Sequence, residues 1–212
     1  MEALQIESID KPIDNPVVLR ALMPVINRAW AMGVPLPGKG RPFALSMRTL
    51  NVILENARRS GIGRDIGAYI KAVPEIVAQN PEEAARLFSE LSQAIEESPA
   101  PATEWAPMRS LFGDEELAVL IGTSRQSMAR YAKSERATPI DIADRLHALA
   151  MMVSDLAGAY NEFGIRRWFH RPRNVLNGRS PLQTLGSNWS SDRESAKKVR
   201  ALAASLSDIG AT

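Results

Sequence analysis

The spacing of apolar positions predicts that almost the whole chain is helical. Within residues 43–60, Leu50, Ile53, Leu54 and Ala57 recur at intervals of three and four, which places them on one face of a helix. Runs in which apolar and polar residues alternate are missing, and β-branched residues are not clustered as strands require. The sequence therefore predicts an all-α fold.

A strong capping signal marks a helix that starts at residue 80. Asn80 is a favoured N-cap, Pro81 suits the first helical position, and Glu82 and Glu83 lie at the positive end of the helix dipole. The pattern predicts a helix that continues to about residue 97. The residues that it should bury are Ala84, Leu87, Phe88, Leu91 and Ile95.

A proline-rich stretch divides the chain. Residues 98–107 hold three prolines and no periodic pattern, so they are predicted to be a linker. An N-terminal helical domain, residues 1–97, precedes it, and its role is not indicated by any motif. Residues 17–32 and 65–79 of that domain are also predicted to be helical, although each range contains a proline.

Residues 117–131, within the segment 108–137, have the pattern of an Xre-like helix-turn-helix. Two helices that cross sharply need a small residue at their contact, here Ala118, and a glycine at the turn, here Gly122. Ser124 is then an N-cap for the second helix. The apolar residues predicted to face inward are Leu117, Ile121, Met128 and Tyr131. Since the same hairpin also serves as a structural or dimerising unit, its shape alone does not establish DNA binding.

The outer faces of this helix-turn-helix carry side chains suited to DNA. Arginine pairs with guanine, glutamine with adenine, and serine and lysine with phosphate. The predicted DNA-binding residues are Thr123, Ser124, Arg125, Gln126, Ser127, Arg130 and Lys133. One feature argues against this interpretation. Asp114, Glu115 and Glu116 open the first helix, where a phosphate often sits, and would repel it.

A second capped helix is predicted over residues 138–164. Thr138, Pro139 and Asp141 have the pattern of a capping box with proline at the first helical position. Apolar residues follow at alternating spacings of four and three, namely Ile142, Leu146, Leu149, Val153, Leu156, Tyr160 and Phe163. This face is the core against which the smaller helices pack, a dimer seam that pairs two helix-turn-helix units on a palindromic site, or each of these on different parts of its length. We expect a structural role for His147 rather than metal binding.

Charge distinguishes the two halves of the chain. Residues 1–108 carry 11 Lys and Arg against 13 Asp and Glu, whereas residues 109–212 carry 15 against 11. No acid lies between Glu162 and Asp192, a stretch that contains five arginines. A basic half favours an anionic partner, most commonly nucleic acid, although a solvated arginine-rich surface has the same composition.

Several classes of protein are excluded or disfavoured by composition. The absence of cysteine excludes disulfides and thiolate metal sites, and no run of about 18 apolar residues could form a membrane span. The sequence contains no nucleophile–base grouping, metal cluster or phosphate loop, so we predict neither catalytic residues nor a metal or cofactor, and the protein is not expected to be an enzyme. The acidic N-terminus lacks a signal pattern, and the expected location is the cytoplasm.

The tail, residues 165–212, combines apolar and aromatic residues with arginines. Protein interfaces favour this combination, although in a compact small domain the same apolar residues would form the core. The tail also contains an ordered motif that consists of Trp168, Phe169, Pro172, Leu176, Gly178, Pro181, Leu185 and Gly186. Together with the helix-turn-helix and the Thr-Pro-capped helix, this motif resembles the Xre/MbcA/ParS-like antitoxin family over about residues 110–212. Residues 187–195 depart from the family, whose tail moves directly into its last helix.

The resemblance implies a DNA-binding antitoxin that autoregulates its operon and neutralises a partner toxin, usually a RES-type toxin that degrades NAD. The tail would be the toxin-binding module. Its implied partner-binding residues are Arg167, Trp168, Phe169, Arg171, Pro172, Leu176, Gly178, Pro181 and Leu185. We expect a homodimer or higher oligomer on a palindromic operator. The alternative is a stand-alone helix-turn-helix regulator whose N-terminal domain senses a ligand or recruits a protein partner.

Overall fold

Residues 4–38, 41–62 and 73–207 are described by the structure, a computed structural model. Over these residues the chain is mostly helical and contains one short two-stranded sheet, so the predicted all-α class is confirmed. The chain divides into two compact units between Ala100 and Pro101. Across the described ranges, every helix is too short or too polar to cross a membrane.

The N-terminal unit combines helices with a small parallel sheet. Its described elements are β1 (Ile6–Ile9), α1 (Pro16–Ala31), β2 (Phe43–Leu45), α2 (Met47–Arg59), α3 (Val73–Gln79) and α4 (Pro81–Glu96). The two strands pair with Ile6 opposite Phe43 and Ile9 opposite Leu45.

The core of this unit lies between α1 and α4. Asn80 caps α4 by accepting a hydrogen bond from the amide of Glu83 at 3.2 Å, as predicted. The predicted apolar face is buried, with Ala84, Leu87, Phe88, Leu91 and Ile95. Arg28 of α1 donates to the hydroxyl of Ser92 and, at 2.9 Å, to the carboxylate of Glu96. An open cleft of about 590 Å³ lies between α1 and α4.

Two predictions for this unit require correction. Residues 43–45, predicted as the start of a helix, are strand β2, because three residues are too few to show an alternating pattern. The helix begins only after Ser46, whose hydroxyl accepts a hydrogen bond from the amide of Thr49 at 3.3 Å. Of the helix predicted over 65–79, residues 73–79 are helical and the rest lies outside the described residues.

The C-terminal unit is built around one buried helix. Its helices are α5 (Pro101–Ile121), α6 (Arg125–Ala132), α7 (Ile140–Ala157), α8 (Glu162–His170), α9 (Pro181–Leu185) and α10 (Glu194–Ser207), and a 3-10 turn (Asn174–Leu176) lies between α8 and α9. Helices α5, α8 and α10 pack against α7, which is buried around most of its circumference. The predicted apolar face of α7 is therefore core, and it is not available as a dimer seam.

The predicted linker 98–107 is helical from Pro101 onward. Pro101 occupies the first position of α5, where a missing amide hydrogen costs no hydrogen bond within the helix. A proline at this position is therefore compatible with a helix start as well as with the predicted linker. Trp105 is 2% exposed, and Glu104 is fully buried with its Oε1 2.5 Å from Nδ1 of His147. His147 thus has a structural contact in the core.

The helix predicted over 138–164 is two helices rather than one. Helix α7 ends at Ala157, and Asn161 caps α8 by accepting a hydrogen bond from the amide of Gly164 at 2.9 Å. Phe163, predicted on the apolar face, is 66% exposed. The spacing of four and three residues therefore continues across the end of α7 and the start of α8. The break between the two helices is marked by the Asn161 cap and not by a change in the apolar spacing.

The start of α7 also differs from the predicted capping box. Pro139 is the N-cap of the helix, and no side chain caps it. The hydroxyl of Thr138 instead accepts a hydrogen bond from the indole of Trp105 at 3.2 Å. The Thr138 hydroxyl therefore bonds to Trp105 of α5 instead of capping α7.

Candidate nucleic-acid interface

The candidate DNA-binding element is a helical hairpin over residues 114–132, called the hairpin below. Gly113, at φ 75° and ψ 164°, interrupts α5, so residues 114–121 form a separate helical segment. Gly122, at φ 69°, turns the chain. The hydroxyl of Ser124 then caps α6 by accepting a hydrogen bond from the amide of Ser127 at 3.1 Å.

The two helices of the hairpin are held by the apolar residues that the sequence predicts. The buried set is Leu117, Ala118, Ile121, Met128 and Tyr131. Tyr131 also stacks on Trp105, with ring centroids 6.1 Å apart. The predicted turn at Gly122 between two helices, with these residues facing inward, is confirmed.

The predicted DNA-binding side chains lie on the outer surface of the hairpin and just beyond α6. The exposed members are Ser124, Arg125, Gln126, Arg130 and Lys133, and Thr123 and Ser127 are half-buried. The hydroxyl of Ser127 accepts a hydrogen bond from that of Ser124 at 3.0 Å. The surface therefore presents Arg125 and Gln126 at the start of α6 and Arg130 one turn later.

Two of the three acids that open the hairpin are paired with arginines. The Nε and Nη2 groups of Arg109 donate to Asp114, each at 2.8 Å, and these bonds hold the pKa of Asp114 below its ordinary value. Arg125 donates to Glu115 at 2.7 Å. Arg125, one of the two arginines predicted to bind DNA, thus has a carboxylate partner within the hairpin.

The third acid, Glu116, contacts α8. The Nε2 atom of His170 lies 3.1 Å from both carboxylate oxygens of Glu116. Phe112 and Phe169 pack edge to face nearby, with ring centroids 5.1 Å apart. Helix α8 is therefore positioned beside the beginning of the hairpin, and all three acids have a cationic or ionisable neighbour.

Five of the nine residues predicted to bind a partner form the core of the tail. They are Trp168, Phe169, Leu176, Pro181 and Leu185. The rings of Trp168 and Phe169 are 5.1 Å apart, edge to face. The prediction is wrong for these side chains, because their own unit covers them. The exposed members of the set are Arg167, Arg171, Pro172 and Gly178.

Trp189 joins the tail to the hairpin. Its side chain is buried, and its indole N–H donates to the carbonyl of Leu120 at 2.6 Å. Arg145 of α7, itself buried, donates to the carbonyl of Trp189 at 3.2 Å and to Asp141 at 2.6 Å. The last turn of the first hairpin helix and α7 therefore both bond to one residue of the tail, Trp189.

The same part of the tail lies against the turn of the hairpin. A Cβ atom on Gly122 would be 2.1 Å from the carbonyl oxygen of Ser187. Gly122 is thus required both by its positive φ and by this close approach. Residues 187–195, which depart from the resembled family, contain the joint between tail and hairpin. Trp189, one of the apolar residues of the tail, is the sequence signal of this joint, although its bond to Leu120 could not be predicted.

The described residues contain no group of three or more His, Asp or Glu side chains that could hold a metal ion. Comparison of the chain with protein-family models, with curated proteins and with solved structures found no match. The geometry defines a helical unit with a hairpin of two helices whose outer side chains are exposed.

We expect Gly122→Ala to destabilise the protein more than Gly178→Ala, a matched control. Both glycines have positive φ, which costs an L-residue roughly 1–2 kcal/mol, but only Gly122 faces a nearby backbone atom. The free energy of unfolding, measured by urea titration of the full chain, should fall further for Gly122→Ala. Equal losses would contradict a close-packed joint at Ser187.

We expect Trp189→Phe to cost about 1–3 kcal/mol more than Trp168→Phe, because it leaves the carbonyl of Leu120 without its buried donor. The two substitutions remove a similar volume. The indole nitrogen of Trp168, however, is buried with no hydrogen-bond acceptor among the described residues. The same urea titration compares them, and a larger loss for Trp168→Phe would show that the Trp189 hydrogen bond does not hold the tail.

Proposed function

We propose that this protein is a sequence-specific DNA-binding regulator whose recognition helix is α6. The observation that supports this proposal is the exposed end of the hairpin, where Arg125 and Gln126 begin α6 and Arg130 follows one turn later. In helix-turn-helix proteins, side chains at this end of the second helix reach base edges in the major groove. Arginine and glutamine are suited to guanine and adenine, respectively.

The acids at the start of the hairpin are compatible with this proposal. An exposed ion pair such as Arg125–Glu115 contributes only about 0.2–1 kcal/mol to stability. A bidentate contact between arginine and guanine is worth about 1–3 kcal/mol of discrimination. The Arg125–Glu115 pair therefore costs little to break when Arg125 turns towards a base.

The resemblance of the C-terminal half to antitoxins extends the proposal to autoregulation. The target would be the promoter of the protein's own operon, bound by two copies on a palindromic site. Because the apolar face of α7 is core, the second copy would contact another surface of the chain.

In the full chain, Arg125→Ala combined with Arg130→Ala should abolish sequence preference. The ratio of the Kd for a scrambled duplex to the Kd for the promoter duplex, measured by fluorescence anisotropy, should fall by at least about tenfold. Arg48→Ala combined with Arg59→Ala, exposed arginines of α2, is the control and should leave the ratio unchanged. An unaltered ratio in the first variant would show that α6 is not the recognition helix.

We further propose that residues 171–179, the tail loop, bind a protein partner, which the resemblance suggests is a RES-type toxin. The loop is preorganised, since the amide of Arg173 donates to the carbonyl of Arg179 and the amide of Gly178 donates to that of Arg173, both at 3.0 Å. Val175, which is not among the predicted partner-binding residues, is 68% exposed on this loop. Because the loop is already ordered, a partner would not have to fix its conformation on binding, and Val175 offers that partner an apolar contact.

Val175→Asp should prevent the protein from inhibiting NAD hydrolysis by a RES-type toxin, because a charge would replace the apolar contact. Val52→Asp, at an exposed valine of α2, is the matched control and should inhibit like the wild type. Inhibition is measured by titrating each purified variant against the toxin. If Val175→Asp inhibits fully, the tail loop is not the binding surface.

A further inference from the structure

We propose that Arg166 and Arg167 on the exposed face of α8 contact the phosphate backbone of the same DNA that α6 recognises. This inference rests on the proposed function. Arg167 is one of the residues that the resemblance implies for a protein partner, and Arg166 is not. The position of α8 beside the hairpin instead favours DNA.

Helix α8 is held against the beginning of the hairpin by two contacts. Phe169 packs edge to face on Phe112 of α5, and His170 lies 3.1 Å from Glu116 in the first turn of the hairpin. Both contacts lie within the C-terminal unit. The C-terminal end of α8 is therefore adjacent to the N-terminal end of the first hairpin helix.

The two arginines lie on the same face of α8 as His170. Arg166 precedes His170 by four residues and Arg167 precedes it by three, and residues at these spacings are neighbours on a helix surface. Ile165 and Trp168 are on the opposite, buried face. Both arginines are exposed towards solvent beside the Glu116 contact.

The charge of this face is not neutralised by the chain itself. Within the described residues, neither guanidinium group forms an ion pair or a hydrogen bond with another side chain. By contrast, Arg58 of α2 is paired with Glu55 and Arg86 of α4 with Glu83. Helix α8 thus presents two available guanidinium groups.

The docking geometry of a helix-turn-helix indicates what these groups would meet. When the second helix lies in the major groove, the first helix crosses the DNA backbone. The beginning of that first helix, where Glu116 contacts His170, then lies next to phosphates. Arg166 and Arg167 would donate to phosphate oxygens there, a contact that positions the protein without reading sequence.

Phosphate contacts have a distinct signature in solution. Each neutralised phosphate contributes about 0.9 to the slope of log K against log salt concentration. Loss of two contacts should lower the magnitude of that slope by about 2 and weaken binding to every sequence alike. Loss of base contacts would instead change the preference among sequences.

The test compares Arg166→Gln combined with Arg167→Gln against the wild-type full chain. The probes are a duplex selected by the wild type from a random library and a scrambled duplex of equal length. We expect roughly tenfold weaker binding to both duplexes at 0.1 M salt, an unchanged preference ratio and a slope smaller by about 2. Arg166→Lys combined with Arg167→Lys retains the charge and should retain the slope. Arg48→Gln combined with Arg59→Gln matches the loss of charge in the N-terminal unit and should leave the slope unchanged.

The outcomes separate this inference from the proposed function. If the wild type selects no sequence from the library, the proposed function fails and this inference fails with it. If the wild type selects a sequence but the glutamine variant keeps its affinity and slope, only this inference is overturned, and the face is free for a protein partner. An equal slope change in the Arg48 and Arg59 control would show an effect of net charge and would also overturn it.

Discussion

The hydrogen bond from the indole of Trp189 to the carbonyl of Leu120 is the contact on which the arrangement of the C-terminal unit depends. It satisfies a carbonyl at the end of the first hairpin helix that would otherwise be buried without a donor. Arg145 holds the backbone of Trp189 from α7, and Gly122 has no side chain to keep Ser187 away. Hairpin, buried helix and tail are consequently one packed body.

This packing changes how the two proposed activities are related. The sequence suggested a DNA-binding module followed by a separate partner-binding module, but α8 connects them directly. Its buried face, with Trp168 and Phe169, forms the core of the tail, and its exposed end contacts Glu116 of the hairpin. A protein bound at the tail loop would therefore lie one short helix away from the proposed DNA surface.

The charge at the beginning of the hairpin also depends on which residues the fold packs beside it. As a local sequence, Asp114, Glu115 and Glu116 are a cluster of three negative charges that should repel phosphate. Their neighbours Arg125 and His170 come from 10 and 54 positions further along the chain. The ion pairs of Arg109 with Asp114 and of Arg125 with Glu115 offset two of these charges, so the acids are not isolated negative groups.

The sequence by itself determined the features that short-range chemistry controls. The Asn80 cap, the Gly122 turn, the Ser124 cap and the inward faces of the helices were predictable, because capping bonds and helical periodicity involve residues within a few positions of each other. It failed at Pro101, where one proline residue is compatible with both a linker and a helix start.

Only the tertiary structure decided which apolar residues of the tail are core and which are surface. Trp168 was compatible with either the core or a contact surface, and the structure buries it, whereas Val175, seven residues later, is exposed. It also decided that α7 is core and that Trp189 bonds to Leu120, 69 positions earlier. The physical reason is that burial depends on contacts between residues distant in sequence, which local periodicity does not encode.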